Sequence, residues 1–258
     1  MPVMPSAAVA RALAARVVVE VCDDRRFLDN ALGAAVGHAP AGTAALVQEL
    51  VYGTLRWYHQ LAAIAQLWLH KSLRTKDHDI HALLLIGLYQ LRALRVAPHA
   101  AVKETVQAAA ALGKPWAKDL INACLRGYLR APQRAEAAIA DDETVRLSHP
   151  RWLLEELKRA YPDQWESIAH ADNARPPMSL RVNLARTTRA AYLAELAAAG
   201  IGARASALCQ SALTLDEPRA VGDLPGFAQG LVSVQDVAAQ FAAGLLDEHR
   251  HRVRFVHQ

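Results

Sequence analysis

Five polar side chains near the middle of the chain recur at every fourth position. They are Lys114, Lys118, Asn122, Arg126 and Arg130. A step of four advances 400° around an α-helix, so the row drifts about 40° per step and forms a slow ridge roughly 24 Å long. Cations spaced in this way can contact successive phosphates of a nucleic-acid backbone. The row predicts an RNA-binding ridge, and an ordinary solvated helix face is the alternative.

Two further polar side chains are predicted to contact RNA. Arg181 and Asn183 lie with Ser179 on the polar face of an alternating stretch, whose other face carries Met178, Leu180, Val182 and Leu184. This period of two predicts a strand. Near Arg56, the rings of Trp57 and Tyr58 could stack on bases. Aromatic residues at helical spacing are also typical of a core, and that alternative stays open for these two rings.

No catalytic residue, metal ligand or cofactor-binding residue is predicted for these 258 residues. The sequence contains no GxGxxG, P-loop or GxSxG pattern. His249 and His251 are better explained as an exposed charged turn than as metal ligands. Cys22, Cys124 and Cys209 lie far apart, which favours free buried thiols over disulfides, with Cys22 and Cys124 in helices and Cys209 in a strand.

Composition and charge limit the possible partners. Hydrophobic residues make up 53% of the chain and charged residues 21%, as in a folded globular protein. No apolar run reaches the ~20 residues of a membrane span, and charges interrupt the apolar N-terminus, so we expect a cytoplasmic protein without a membrane partner. Residues 1–132 hold 15 Lys/Arg against 9 Asp/Glu, a balance of +6, whereas residues 133–258 hold 14 against 16, a balance of −2. This basic first half favours a polyanionic partner, and we expect the protein to be a monomer.

The hydrophobic period changes part-way along the chain, which predicts an α+β protein. Leucines at helical spacing, a proline at position 98, and Gly113 and Pro115 at helix ends predict a compact all-α bundle over residues 1–132. Pro132 and the weak pattern after it predict a linker over 133–147. Residues 148–229 begin with two short helices and then read as strand, helix, strand, which predicts a small α/β domain. Residues 230–258 add a short strand at Val232–Val234, a helix from Val237 to about Leu246 capped by Asp236, and a final strand that begins at Val253.

Six blocks of the chain resemble known families in order and spacing. The blocks "LVQELVYGTLRWYHQLAAI", "LLLIGLYQLRALRVAPHAAVKETVQAAAALG" and "AKDLINACLRGYLR" resemble the NusB-type RNA-binding helical domain. The blocks "HPRWLLEELKRAYP", "ARPPMSLRVN" and "GLVSVQDVAAQ" resemble the region after that domain in the RsmB/Sun family of bacterial 16S rRNA cytosine-C5 methyltransferases. The family usually has "NE" where this chain has Lys103-Glu104.

The resemblance implies an RNA-binding portion of a methyltransferase whose partner is 16S rRNA. In that family a strand after the "SVQD" block leads into a glycine-rich turn that holds S-adenosylmethionine, and a later cysteine adds to cytosine C6. This chain has "HRVRFVHQ" there, so residues 230–258 are expected to be a truncated start of the catalytic domain, inactive and without cofactor. The alternative is a non-enzymatic NusB-like protein of transcription antitermination, and a purely structural helical scaffold is a third.

Overall fold

The computed structural model describes residues 6–69 and 71–242. The chain divides after Ala174 into a helical unit and a sheet unit, each compact by itself. This confirms the predicted fold class, a helical domain followed by a small α/β domain. None of the helices among the described residues combines the length and apolarity needed to cross a membrane.

The helical unit contains eleven α-helices among the described residues, with 3₁₀ turns at Thr75–Asp77 and Pro115–Ala117. In chain order the helices are α1 Ser6–Cys22, α2 Leu28–Gly37, α3 Ala44–Arg56, α4 Tyr58–Gln66, α5 His78–Ala93, α6 Pro98–Ala111, α7 Lys118–Arg130, α8 Pro132–Ala140, α9 Glu143–Leu147, α10 Arg151–Ala160 and α11 Trp165–Asn173. α5 is the central helix, since its residues from Ala82 to Gln90 are all buried. Gly113 adopts φ +74° beyond the end of α6, as the C-terminal glycine of a helix requires.

The prediction of a linker over residues 133–147 is wrong, because this interval forms helices α8 and α9. Its apolar side chains are short, so the pattern is weak, but Ala135 and Ile139 are buried in the main core. Two contacts between distant residues hold α8 in place. Arg92 of α5 forms an ion pair with Glu136, and the Arg134 guanidinium lies over the Trp68 ring, 5.7 Å from its centroid.

Helices α10 and α11 confirm the two short helices predicted on either side of Pro162. They enclose a small separate cluster of Leu147, Leu154 and Ala169. The prediction assigns them to a domain beginning at residue 148, whereas the compact division of the chain falls after Ala174. The structure therefore places these two helices with the helical unit.

The sheet unit contains a four-stranded antiparallel sheet and one complete helix. Strands β1 Ser179–Val182, β2 Ala203–Ala205, β3 Ala212–Leu215 and β4 Val232–Val234 lie in the order β2-β3-β1-β4, and helix α12 spans Arg189–Ala198. A 3₁₀ turn covers Val221–Asp223. Leu180 of the central strand pairs with Leu213 on one side and Val234 on the other. The fully buried side chains of Tyr192 and Leu196 on α12 belong to the same apolar cluster as Leu180.

Several details of the predicted strands are wrong. Ser179 is only 4% exposed, because it lies opposite Thr214 with the two hydroxyl oxygens 3.5 Å apart. Leu184 is 48% exposed, because β1 ends at Val182 and the chain turns. The stretch predicted as a single strand after Gly202 is a hairpin, and Cys209 lies in its turn rather than in a strand.

The end of the described chain bears out two predictions. Strand β4 covers the predicted Val232–Val234, and residues 237–242 are helical. Asp236 caps this helix, since its Oδ1 accepts a hydrogen bond from the Ala238 amide at 2.7 Å. The rest of the helix predicted to reach Leu246, the final strand predicted from Val253 and the histidines 249, 251 and 257 lie outside the described residues.

Candidate RNA-binding surface

Helix α7 carries four of the five members of the predicted ridge, and its inner face fixes their position. Ile121, Leu125 and Tyr128 are buried in the main core. Gly127 packs so closely on the Trp68 ring that a Cβ atom there would lie 2.4 Å from Trp68 Cδ1. Because this face fits its neighbours closely, the opposite face is presented at a fixed orientation.

Lys114 was predicted to be exposed on the ridge, and this is wrong. Its side chain is 19% exposed, and its ammonium nitrogen lies 3.2 Å from Asp77 Oδ1 and 2.6 Å from Asp79 Oδ1. The same nitrogen donates to the backbone carbonyl of Lys76. Lys114 therefore holds the residues preceding α7 against the start of α5, and its charge is neutralised within the protein.

The other four members of the ridge remain accessible. Arg126 and Arg130 are exposed, while Lys118 and Asn122 are half-buried. The Arg126 Nε donates to Asn122 Oδ1 at 2.9 Å, so these two side chains share one orientation. Within the described part of the chain, no Asp or Glu forms an ion pair with Lys118, Arg126 or Arg130. These three cations are free to contact an anion.

Three residues that the sequence reasoning missed extend this surface. Trp116 lies in the 3₁₀ turn before α7 and is 55% exposed. Lys71 and Lys76 are exposed on the segment that Lys114 holds. Trp57 and Tyr58, considered for stacking, are instead half-buried and pack against the main core. In the sequence, the position of Trp116 between Lys114 and Lys118 is the feature that could have indicated its place on this surface.

The second predicted pair, Arg181 and Asn183, lies in the sheet unit. Arg181 is exposed on the central strand opposite Ser233 and lines a cavity of about 570 Å³. Asn183 follows the strand, and its amide nitrogen donates to the Gly230 carbonyl at 3.0 Å. Its Oδ1 accepts from the Ala185 amide at 3.3 Å. The Asn183 side chain is thus used in the turn, which leaves Arg181 as the accessible member of the pair.

The three thiols differ in environment, and two of the predicted positions are wrong. Cys124 is buried as expected, but Cys22 is exposed and Cys209 is partly exposed. Desolvation of the thiol, with the charge of Asp23, raises the pKa of Cys22 to about 11. A hydrogen bond with the Ser211 hydroxyl lowers the pKa of Cys209, and backbone amides add to this effect. No three His, Cys, Asp or Glu side chains converge on a metal position within residues 6–69 and 71–242.

Two parts of the chain match models of known protein families. Residues 8–130 match the NusB family, and residues 149–222 match the Methyltr_RsmF/B-like, ferredoxin-like domain. The chain is thus similar to a NusB domain followed by an RsmF/B-like ferredoxin-like domain, and the second match begins at residue 149, next to the predicted domain start at 148. This order confirms the resemblance to the RsmB family drawn from the sequence blocks.

The relatives of this two-domain chain are methyltransferases of about twice its length. It is 46% identical over 237 residues to ribosomal RNA small subunit methyltransferase B of Pseudomonas putida, covering 92% of this chain and 54% of the relative. The protein of the same name from Vibrio cholerae is 45% identical over 232 residues, covering 90% and 54%. The crystal structure of PH0851 has a TM-score of 0.65 and 16% identity, covers 95% of this chain and 56% of that one, and shows the fold alone. The chain spans about half the length of the curated relatives it matches.

The largest of the cavities in the sheet unit described above does not fit S-adenosylmethionine, the cofactor that the resemblance implies. The cavity beside Arg181 is lined by polar and apolar residues but by no carboxylate that could bind a ribose. The described glycines with positive φ are isolated from one another in the sequence and do not form a glycine-rich turn between a strand and a helix. No step of methyl transfer can be derived from these residues.

Proposed function

We propose that this chain is an RNA-binding portion of an RsmB-type system that methylates small-subunit ribosomal RNA. The observation that carries the proposal is the free cationic face of α7. Lys118, Arg126 and Arg130 project from a helix whose other face lies in the main core. From Lys118 to Arg130, twelve steps along the helix, this row is about 18 Å long, enough to follow several phosphates.

The contacts within the helical unit support binding without a large ordering cost. Arg126 is already held by Asn122, and the start of α7 is fixed by the ion pairs of Lys114. Side chains that are oriented before binding lose less conformational entropy on contact. Trp116 adds an exposed ring at the N-terminal end of the row, where an unpaired base can stack.

Arg181 of the ferredoxin domain is proposed as a separate contact with the same RNA. Its guanidinium belongs to an exposed strand face, and Ser233 lies beside it in register. A guanidinium can donate two hydrogen bonds to one phosphate. The free-standing antitermination protein is the less favoured function, since the ferredoxin domain follows the NusB domain in this chain.

The first experiment removes the three free cations together. In the variant Lys118→Ala/Arg126→Ala/Arg130→Ala, binding to a 16S rRNA hairpin should weaken, and the slope of log Kd against log salt should fall by about 2, since each lost phosphate contact removes about 0.7–0.9. The helical circular dichroism should not change, because the three side chains contribute little to the core.

A control variant of equal charge change separates this surface from general attraction. Arg95, Lys103 and Arg151 are exposed in the same unit but lie outside α7. The variant Arg95→Ala/Lys103→Ala/Arg151→Ala should keep most of the affinity. Equal losses in both triple variants would show that net charge, rather than the α7 face, binds the RNA.

We further propose that methyl transfer to cytosine C5 is not performed by these 258 residues themselves. The reaction needs a thiolate against the base, whereas desolvation of the thiol raises the pKa of both Cys22 and Cys124. The pKa of Cys209 is lowered, but this residue lies in the hairpin turn between β2 and β3 of the sheet unit, outside the catalytic domain that the resemblance implies. Calorimetric titration with S-adenosylmethionine should show no saturable heat. A labelled-methyl assay on unmodified 16S rRNA should remain at the level of a reaction without protein. Saturable binding or label in cytosine would contradict this proposal.

The oligomeric state and the cellular compartment are also part of this proposal. We propose a monomer, which should sediment at the sequence mass of 28.0 kDa. An rRNA partner favours the cytoplasm as its compartment.

A further inference from the structure

A half-open cavity of about 240 Å³ lies in the helical unit, between α1, α4 and the start of α5. Its apolar wall includes Val18, Leu69 and Ala82, which are all buried. The polar side chains of Tyr58, Gln66, Ser72 and His81 also line it. Cavities for drug-sized ligands are about 300–1,000 Å³, so this one suits a single ring system.

Four of the polar side chains around this cavity form no hydrogen bond with the part of the chain that the structure describes. The Tyr58 hydroxyl, the Gln66 amide, the Ser72 hydroxyl and the His81 ring have no hydrogen-bond partner among residues 6–69 and 71–242. Gln90, in the interior of the same unit, shows the opposite case. Its amide accepts from Arg11 at 2.6 Å and donates to Thr105 at 3.2 Å. The cavity therefore presents donors and acceptors, open to solvent and available to a ligand, beside an apolar surface, which is how a ligand site is usually built.

The wall of the cavity carries little net charge at neutral pH. The one carboxylate, Asp23, lies 2.6 Å from the His78 ring. Burial raises the pKa of the Cys22 thiol and of the Tyr58 phenol, so both stay protonated. Burial also lowers the pKa of His81. The positive charge of His78 lowers it further, whereas the negative charge of Asp23 raises it. A neutral planar group fits such a wall better than a phosphate does.

A stretch of the chain that lines the cavity, here called the basic mouth, also carries two exposed lysines and is contacted by Lys114. Ser72, Leu73 and His78 line the cavity, and Lys71 and Lys76 are exposed on the same short stretch. Lys114, which precedes α7, contacts this stretch through the Lys76 carbonyl and Asp79. On the other side of the cavity, Leu69 follows Trp68, whose ring packs on Gly127 of α7. Phosphates along α7 could thus continue over the basic mouth.

We propose that this cavity receives one unstacked nucleobase of the RNA that lies along α7. The proposal rests on the proposed function and adds a base-recognition site to it. The base enters the neutral cavity, while its flanking phosphates stay outside near Lys71 and Lys76. RNA recognition commonly uses bases splayed from the strand, which bind through their edges and faces. The chain would thereby prefer RNA with an unpaired base over a continuous duplex.

The test measures free ribonucleosides against the full chain. Adenosine, guanosine, cytidine and uridine are titrated separately, and saturation-transfer NMR is read on base and ribose protons. At least one nucleoside should bind saturably, with larger transfer to its base protons. Inorganic phosphate and ribose 5-phosphate should not displace it. Absence of saturable binding for all four, or full displacement by ribose 5-phosphate, would overturn the proposal.

Two variants locate the binding. Gln66→Ala removes an exposed amide from the rim and should weaken the bound nucleoside by about 2- to 12-fold, the range for one hydrogen bond. Gln48→Ala changes an exposed glutamine on α3, away from the cavity lining, and is the matched control with no expected effect. Ala82→Leu fills the cavity and should abolish binding, provided that circular dichroism shows an intact fold. Equal affinities for Gln66→Ala and Gln48→Ala would contradict the proposal even if Ala82→Leu does not fold.

The outcomes also separate this proposal from the proposed function. If the hairpin binds through the α7 cations but no nucleoside binds, the cavity proposal alone is wrong. If a nucleoside binds in a Gln66-dependent way while the α7 triple variant leaves hairpin binding unchanged, the cavity proposal stands and the proposed RNA surface is wrong.

Discussion

The two units of this protein place their candidate RNA contacts on very different amounts of core. Among the described residues of the helical unit, 35 buried apolar side chains form the main core in which the inner face of α7 is packed. In the sheet unit, nine buried side chains lie behind Arg181. Small cores leave little stability in reserve, because burial increases with domain size. We expect the helical surface to tolerate substitutions that would unfold the sheet unit, and four measurements test this contrast.

The largest effect is expected at Tyr192 in the sheet unit. This side chain is fully buried, and its hydroxyl donates to the Pro225 carbonyl at 2.9 Å. Truncation of a buried aromatic residue costs about 3–5 kcal/mol, so Tyr192→Ala should unfold the sheet unit. Hydrogen exchange should show loss of protection in residues 175–242 and retained protection in α5. Tyr161→Ala, at a site that is 53% exposed, is the control. Simultaneous loss in both units would show that they are one cooperative system.

A smaller effect is expected from Lys114, compared with its neighbour Lys118. Lys114→Met leaves Asp79 without its cation and leaves Asp77, which is 4% exposed, with only the longer ion pair to Arg74 at 3.6 Å, and it should lower the midpoint of thermal unfolding by several degrees. Lys118→Met should leave the midpoint nearly unchanged but weaken RNA binding. If Lys114→Met instead weakens RNA binding and leaves the thermal midpoint unchanged, Lys114 contacts RNA and its ion pairs do not stabilise the fold.

The loss at Lys114 should also depend on pH. Burial raises the pKa of Asp77, but the hydrogen bond and charge of Lys114, with Arg74 and Lys76, lower it more, so the pKa lies below 3.8. Burial lowers the pKa of Lys114, but Asp79 and Asp77 raise it more, to above 10.5. A depressed carboxyl pKa stabilises the fold above its ordinary value, and a raised ammonium pKa does so below its own. The difference between the parent and Lys114→Met should thus be full from about pH 5 to 9 and shrink at both extremes.

The smallest effect is a difference in thiol labelling that leaves the fold intact. The pKa of Cys209 in the sheet unit is lowered, whereas that of Cys22 in the helical unit is about 11. Iodoacetamide reacts with the thiolate, so near pH 8 Cys209 should be alkylated first, although Cys22 is the more exposed residue. Buried Cys124 should react last. Peptide mass spectrometry over time gives the order, and faster labelling of Cys22 would show that exposure outweighs the pKa difference.

The sequence predicted what local patterns determine and missed what distant residues determine. Gly113 adopts positive φ just beyond α6, at the helix end that the sequence predicts for it. Asp236 was recognised as a cap because its partner is two residues away. Lys114 was misplaced because its partner Asp79 is 35 residues earlier in the chain. A spacing of four shows which helix face a side chain shares, but not which loop covers that face.

The interval after Pro132 was missed for a related reason. Alanines give almost no amphipathic signal, yet Ala135 is completely buried and Ile139 packs into the same core. The docking of α8 depends on Arg92 and Trp68, which lie 44 and more residues upstream. The candidate surface was affected similarly, because exposure of Trp116 and burial of Trp57 both depend on tertiary packing.

The close approach of Gly127 to Trp68 has a consequence for how this protein can vary among species. Any side chain at position 127 would occupy space now filled by the indole, so the two positions cannot change independently. We expect homologous sequences to keep a large ring at 68 only where 127 is glycine, and to pair a bulkier residue at 127 with a smaller one at 68. The RNA-facing side of α7 is free of this restriction. Its residues can vary with the RNA that they contact, whereas the residue at position 127 can change only together with the residue at position 68.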